Sequence, residues 1–221
     1  MAKQSTRERL LRAAFDLFEE RGYDGTTVDD IAERAGTGRT TFFRVFGSKE
    51  EVIFPDHEEL LEQIRHRLAA ATPATSPVAI SEAAGLVLQH YLAEGDLARS
   101  RYGLTRSVPA LRDRELAGIL QYQRLFRTYI HRWMGDVPES ALRAELMAAA
   151  VVTAHNHVLR LWLRELTTDP QAEFDRAMAE VLALFAEDRS GDEGSTVVVM
   201  RSTQSVEALL PQLRRALSQE E

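Results

Sequence analysis

The sequence contains no cysteine among its 221 residues. This absence excludes disulfides, thiolate zinc sites, iron–sulfur ligation and cysteine nucleophiles together. Long apolar runs are also missing. Every uninterrupted apolar stretch is only a handful of residues long, as at Val197–Met200, whereas a membrane span needs about 20. The N-terminal segment is charged and amphipathic, with no apolar signal core. We therefore expect a cytoplasmic protein that does not cross a membrane.

Lysine is scarce, since only Lys3 and Lys49 among the 27 basic residues are lysine. The net charge of −7 argues against non-specific binding of nucleic acid by the whole surface. The charge is unevenly spread, however. Residues 1–54 carry 9 basic and 10 acidic side chains, and the remaining residues carry 18 and 24. A local cationic face is therefore compatible with an acidic body.

Helical periodicity dominates what is present. Apolar residues over 6–21 repeat every 3.6 residues, and Gly22 is typical of a residue that ends a helix. Thr27 is placed to cap a short second helix that stops at Gly36. The spacing predicts an all-α fold, with further helices over 39–46, 48–70 (with a kink or break near Phe54, before Pro55), 78–93, 96–106, 109–134, 139–166 and 170–188.

Three regions follow from this pattern: residues 1–54, residues 55–189 and residues 190–221. The last region begins with a linker over 190–195 and continues with Thr196–Arg201, a β-branched strand, and an amphipathic helix over 205–217. A lone strand needs a partner for its backbone groups, and the copy in a second subunit is an economical one. We expect this extension to act as a dimer arm.

Residues 26–49 carry the functional signal. Two short helices joined by a turn with Gly36 and Gly38 have the layout of a helix-turn-helix, whose second helix enters the DNA major groove. The charged residues of 36–49 are all basic, and arginine, lysine and threonine side chains suit contacts to phosphates and base edges. The candidate DNA-binding residues are Thr27, Gly38, Arg39, Thr40, Thr41, Phe43, Arg44 and Lys49.

A larger set of residues in this region matches a known pattern in type and spacing: Ala13–Phe15, Leu17–Phe18, Gly22–Tyr23, Thr26–Val28, Ile31–Ala32, Ala35–Gly36, Arg39, Thr41–Phe43, Phe46 and Ser48–Glu50. With these residues the first 54 positions resemble the DNA-binding domain of the TetR family of bacterial repressors. The resemblance implies an all-α homodimer on a palindromic operator. It also implies a small-molecule cavity in the C-terminal body and a dimer interface made by the last two body helices of each subunit.

Three positions depart from the family pattern. Gly38 stands where serine or threonine usually caps the recognition helix, and Phe43 stands where a tyrosine hydroxyl commonly bonds a phosphate. Val45 replaces the usual histidine or tyrosine. We therefore expect most of the DNA contacts to be made by Arg39, Thr40, Thr41, Arg44 and Lys49.

Aromatic and polar residues of the body suit an apolar ligand cavity, although the same spacings are typical of a core or an interface. The candidate ligand-binding residues are Tyr102, Arg106, Tyr122, Phe126 and His155. The candidate dimer-interface residues are Leu142, Leu146, Ala149, Phe174, Met178, Val181 and Phe185. A two-fold dimer would match a palindromic operator.

An enzymatic function has no support in the sequence. His155 and His157 are two residues apart, so they lie on different faces of a helix and do not form a metal pair. Phosphate-binding, dinucleotide and nucleophile-elbow motifs are absent, and we expect no metal and no cofactor. The sequence predicts a repressor released from its operator by a small molecule. The alternative is a ligand-binding or interaction protein whose degenerate helix-turn-helix has no specific DNA binding.

Overall fold

The computed structural model describes residues 5–54 and 57–186, and the regular elements within them are all helical. None of these helices is long and apolar enough to cross a membrane. The all-α prediction is confirmed, whereas the strand and helix expected over 196–217 lie outside the described residues. The α-helices are α1 (Thr6–Arg21), α2 (Val28–Arg34), α3 (Arg39–Val45), α4 (His57–Ala69), α5 (Ser76–Glu94), α6 (Asp96–Ser107), α7 (Pro109–Trp133), α8 (Ala141–Leu163) and α9 (Pro170–Phe185).

Local capping sets the ends of the first two helices. The Ser5 hydroxyl accepts from the Glu8 N–H at 3.1 Å, and the Glu8 carboxylate accepts from the Ser5 N–H at 2.8 Å. Thr27 and Asp30 form the same reciprocal capping box at the start of α2. Gly22, with φ of 75°, ends α1 in a conformation that disfavours other residues. These contacts fix α1 and α2 from sequence-local chemistry alone.

A single helix from residue 48 to residue 70 is not what forms. The Ser48 hydroxyl accepts from the Glu51 N–H at 3.3 Å, and the Glu51 carboxylate accepts from the Gly47 N–H at 2.8 Å. Only a 3₁₀ turn over Glu50–Val52 follows, and α4 begins at His57. The residue before a proline is disfavoured in the α conformation, so a helix does not continue through Phe54.

The described residues have two hydrophobic cores. One joins α1, α2 and α3 with the segment after them, and we call this part of the chain the head. The other joins α4, α5, α7, α8 and α9, and we call it the body. Fully buried members include Leu10, Ile31, Phe42 and Ile53 in the head and Ile64, Leu88, Phe126 and Val151 in the body.

One residue of the body belongs to the core of the head. Leu111, near the start of α7, has no exposed surface and packs in the head cluster. Leu97 and Leu104 of α6 and Val108 pack against the same cluster. The head therefore rests on α6 and on the first turn of α7, so movements of these two helices reach it directly.

Replacing Leu111 by alanine is expected to reduce the free energy of unfolding by about 2–5 kcal/mol, because it leaves a cavity between head and body. Leu116→Ala is the matched control, since Leu116 lies on the same helix and is 52% exposed. The control should change stability by less than about 0.5 kcal/mol. Urea unfolding of both variants measures the difference, and equal effects would contradict the packing described.

Candidate DNA interface and ligand cavity

Helix α3 turns an apolar side inward and a polar side outward. Phe42 has no exposed surface and Phe46 is 4% exposed, with ring centroids 5.8 Å apart. Gly38, Arg39 and Thr40 are exposed. Thr41 is half-buried and Arg44 is exposed on the next turn. The two phenylalanines pack in the head core, and this packing presents the basic and hydroxyl groups to solvent.

Arg39 is held in place before any DNA is present. Its Nη1 lies 2.7 Å from Asp29 Oδ2, and its guanidinium carbon lies 5.1 Å from the centroid of the Phe43 ring. Both charged side chains are more than half exposed, and such a surface pair contributes only about 0–1 kcal/mol. Arg39 can therefore exchange Asp29 for a phosphate or a guanine at little cost. The exposed ring of Phe43 supports Arg39, a role that sequence reasoning did not assign.

Arg44 differs from Arg21 of α1 and Arg34 of α2. Arg34 forms a two-pronged pair with Glu20 at 2.9 and 2.8 Å, and Arg21 lies 3.6 Å from Asp30. Arg44 makes no ion pair or hydrogen bond with the described part of the chain. An unpaired positive charge therefore lies on the outward face of α3.

Lys49 has an internal task. Its Nζ donates to the carbonyls of Tyr23 and Thr26, each at 2.9 Å, and lies 4.0 Å from the centroid of the Tyr23 ring. Two of its three ammonium protons are therefore committed to the turn between α1 and α2. The hydroxyl of Thr27 is likewise engaged, because it accepts from the Asp30 N–H at 3.2 Å and donates to its carboxylate at 2.5 Å. The Thr27 cap is local, whereas the Lys49 contacts reach more than 20 residues back along the chain, so spacing alone does not reveal them.

The body contains a cavity in which the space open to the centre of a water-sized sphere is about 60 Å³; the value is about 650 Å³ only when all free space, including open solvent, is counted. Three of the five candidate ligand residues, Tyr122, Phe126 and His155, lie in its wall. Tyr102 and Arg106 do not: the Arg106 guanidinium lies 5.6 Å from the Tyr102 ring and is exposed. The full lining is Phe54, Ala84, Val87, Tyr91, Arg101, Glu115, Ile119, Tyr122, Phe126, Val151, Val152, His155, Asn156 and Leu159.

The arginine of the cavity is Arg101, which sequence reasoning missed. It is 4% exposed, its two terminal nitrogens donate to the Glu94 carboxylate at 2.5 and 2.6 Å, and its Nε donates to the carbonyl of Ile53. A signal for its burial exists in the sequence. Ala98 and Thr105 lie three residues before it and four after it, both 1% exposed, so Arg101 shares the face of α6 that carries small residues.

Burial shifts the ionisation of the cavity's titratable groups towards their neutral forms. It lowers the pKa of His155 to about 4, against a smaller opposing effect of its hydrogen bond with Asn156. It also raises the pKa of Glu115 and raises the pKa of Tyr91 to about 12. At neutral pH the imidazole of His155 is therefore uncharged.

The predicted dimer-interface residues fall into two groups. Leu142 and Leu146 on α8 are 68% and 54% exposed. Ala149 and Phe185 are half-buried. Three residues need correction, because they lie in the chain's own core and offer no outward surface: Phe174, Met178 and Val181, at 3%, 2% and 6% exposure.

The side of α9 that carries these three residues turns towards the chain's own core. The three residues lie at spacings of four and three and form one face of α9, and periodicity does not tell whether such a face turns to its own chain or to a partner. A Cβ built on Gly85 of α5 would lie 3.6 Å from the Phe174 ring. This is an ordinary van der Waals distance, so α5 packs directly against the Phe174 side chain of α9. Within residues 5–54 and 57–186, no three acidic or histidine side chains are grouped to hold a metal ion.

A helix-turn-helix head resting on a helical body with an internal cavity defines a class of DNA-binding regulators. Residues 10–64 match the family model described as bacterial regulatory proteins, tetR family. The chain is 30% identical over 175 residues to the HTH-type transcriptional regulator TcmR of Streptomyces glaucescens, covering 76% of this chain and 77% of TcmR. The chain therefore belongs to the TetR family of transcriptional regulators.

Solved structures share the fold at low sequence identity. SmeT, a repressor from Stenotrophomonas maltophilia solved in complex with triclosan, aligns with a TM-score of 0.61 and 19% identity. That alignment covers 90% of this chain and all of SmeT. FadR of Thermus thermophilus, in complex with lauroyl-CoA, aligns with a TM-score of 0.53 and 21% identity over 90% of this chain and 98% of FadR.

The neutral His155 predicts a pH-dependent stability. Its pKa is lower in the folded chain than in the unfolded one, so the unfolded state binds the extra proton as the pH falls below about 6.5. Stability should then fall by up to about 1.4 kcal/mol per pH unit between pH 6.5 and pH 4.

The change His155→Gln should remove this contribution, so the difference in stability between pH 7 and pH 5 becomes smaller than in the natural chain. His157→Gln is the matched control, because His157 lies on the exposed side of the same helix. Urea unfolding at the two pH values measures the effect. An unchanged pH dependence in the His155 variant would show that this imidazole is not held neutral.

Proposed function

We propose that this chain is a homodimeric transcriptional repressor that leaves a palindromic operator when a small molecule fills the body cavity. One observation carries the proposal: Arg101 lines the cavity and donates to the carbonyl of Ile53, which lies in the core of the head. The effector site and the DNA-binding head are thus joined by one buried side chain.

The geometry supports a mechanical link between ligand and operator. A ligand entering the cavity meets Arg101 of α6 and Glu115 and Ile119 of α7. The same two helices pack against the core of the head through Leu104 and Leu111. A ligand that binds better when these helices are displaced shifts the dimer towards that state. The coupling is reciprocal, so operator DNA weakens ligand binding by the same factor.

On the DNA side, the exposed face of α3 supplies the contacts. Arg39 and Arg44 are proposed to read base edges or bind phosphates, and Thr40 and Thr41 to contact phosphates and thymine methyl groups. Lys49 keeps one ammonium proton for a phosphate. Gly38 lets the backbone approach the DNA, and Thr27 and Phe43 complete the surface around the helix.

A two-fold dimer is proposed to place two such helices about one DNA turn apart, roughly 34–36 Å. The outward leucines Leu142 and Leu146, with Ala149 and Phe185, are the proposed contact surface, because large exposed apolar side chains grouped on one face are characteristic of interfaces. The acidic body then suppresses non-specific contacts with DNA. Such a regulator acts in the cytoplasm, where the chromosome lies.

The relatives agree with this proposal. TcmR is named a transcriptional regulator, and SmeT and FadR are repressors solved with small molecules bound. The alternative is a ligand-binding protein without specific DNA binding. It is favoured by Phe43 and Val45, which offer no phosphate-binding group, and by Lys49, which is already bonded to two carbonyls.

Selection of bound fragments from random DNA with the full chain separates the two. The proposal expects a palindromic consensus, and Arg44→Ala should change the preferred bases and cost about 1–3 kcal/mol of operator affinity. Arg34→Ala, in the adjacent helix and paired with Glu20, is the matched control and should keep the consensus. Lys49→Ala should weaken binding to all DNA sequences alike and reduce the slope of log affinity against log salt concentration by about one unit. Absence of any consensus would favour the alternative.

The dimer is tested by Leu146→Glu. A buried, unpaired carboxylate on each side of the two-fold axis should dissociate the dimer, which sedimentation detects as a halved mass together with loss of operator binding. Leu120→Glu is the control, since Leu120 is 50% exposed on α7 and outside the proposed interface. If the Leu146 variant stays dimeric, the interface lies elsewhere.

A further inference from the structure

One polar atom in the cavity has no partner. His155 is 6% exposed and lines the cavity. Its Nδ1 lies 3.2 Å from Oδ1 of Asn156. Because an amide oxygen accepts, Nδ1 carries the proton and donates. The other ring nitrogen, Nε2, is then a bare acceptor, and within the described residues it is buried without a hydrogen bond.

An unpaired buried acceptor calls for an explanation, because native proteins bond nearly all such groups. Core packing does not supply one: the ring of Phe174 meets the imidazole edge-on at 6.3 Å and offers no polar donor. The low pKa of His155 means that the nitrogen stays a lone-pair acceptor at neutral pH. A hydrogen-bond donor brought by a ligand would satisfy it.

The charges around the cavity disfavour an acidic ligand. The guanidinium of Arg101 is already neutralised by Glu94 and bonded to Ile53. Glu115 places a carboxyl group in the cavity wall. No cation of the lining is left for an incoming carboxylate or phosphate, so binding an anion would require breaking a buried pair.

The remaining wall is aromatic and aliphatic. Tyr91, Tyr122 and Phe126 face the same space as Val151 and Leu159, and such a lining favours a flat apolar skeleton. We infer that the effector is an uncharged aromatic compound with a hydroxyl group that donates to Nε2 of His155. This inference rests on the proposed function only in taking the cavity as the effector site.

Three probes on one skeleton test the inference: 2-naphthol, 2-methoxynaphthalene and 2-naphthoate, titrated calorimetrically into the full chain. The naphthol should bind about tenfold or more tightly than the ether, because only the naphthol has a hydrogen to donate. The ether is the more hydrophobic compound, so hydrophobicity alone would give the opposite order. The naphthoate should bind most weakly.

Variants assign the preference to one atom. His155→Phe should bring the ratio between naphthol and ether to about one by weakening only the naphthol, while His155→Gln, which keeps an accepting oxygen, should retain part of the preference. His157→Phe makes the same change on the exposed side of α8 and should alter none of the affinities. Retained binding of the ether verifies that each variant is folded.

Four results would overturn the inference: equal affinity for naphthol and ether, strongest binding of the naphthoate, a preference that survives in His155→Phe, or binding of none of the three. None of these measurements involves DNA. If the proposed function failed, the chain would still prefer the naphthol but would select no DNA sequence. The two failures are therefore distinguishable.

Discussion

The buried guanidinium of Arg101 is the interaction on which the arrangement of head and body depends. One side chain closes the wall of the cavity, neutralises Glu94 and bonds the last buried turn of the head at Ile53. Removing one partner of a buried charge pair typically costs about 3–5 kcal/mol. Breaking this contact would leave each partner as an unpaired buried charge.

In the head, some charged side chains are paired and others are left unpaired on the surface proposed to contact DNA. Arg21 of α1 and Arg34 of α2 are matched by nearby carboxylates, whereas Arg44 on the outward face of α3 has none among the described residues. Arg39 occupies an intermediate position, held by Asp29 and the Phe43 ring. The head is thus close to neutral in total and still presents a cationic face. An acidic body leaves that face as the favourable place for DNA.

In the cavity, by contrast, burial shifts pKa values so that the uncharged forms of titratable side chains are favoured. His155 is held neutral, and the pKa values of Glu115 and Tyr91 are raised by the same desolvation. The buried guanidinium of Arg101 is paired with the Glu94 carboxylate and donates to a backbone carbonyl. A site of this kind discriminates by hydrogen bonds and shape. The unpaired Nε2 of His155 is its specific feature.

The sequence by itself determined the elements that local chemistry controls. Periodicity and caps predicted the bounds of α1, α2, α3 and α9 within a few residues, since helix ends depend on neighbours such as Ser5 and Glu8. Pro55 predicted the interruption before α4, although not the 3₁₀ turn that precedes it.

Only the tertiary structure decided which amphipathic faces meet. It placed Arg101 rather than Arg106 in the cavity, directed Lys49 to two backbone carbonyls, and turned Phe174 into the chain's own core. Each of these outcomes depends on atoms more than 20 residues away along the chain. A helix has several faces of similar polarity, and the free energy that selects among them comes from packing between elements, which no local pattern records.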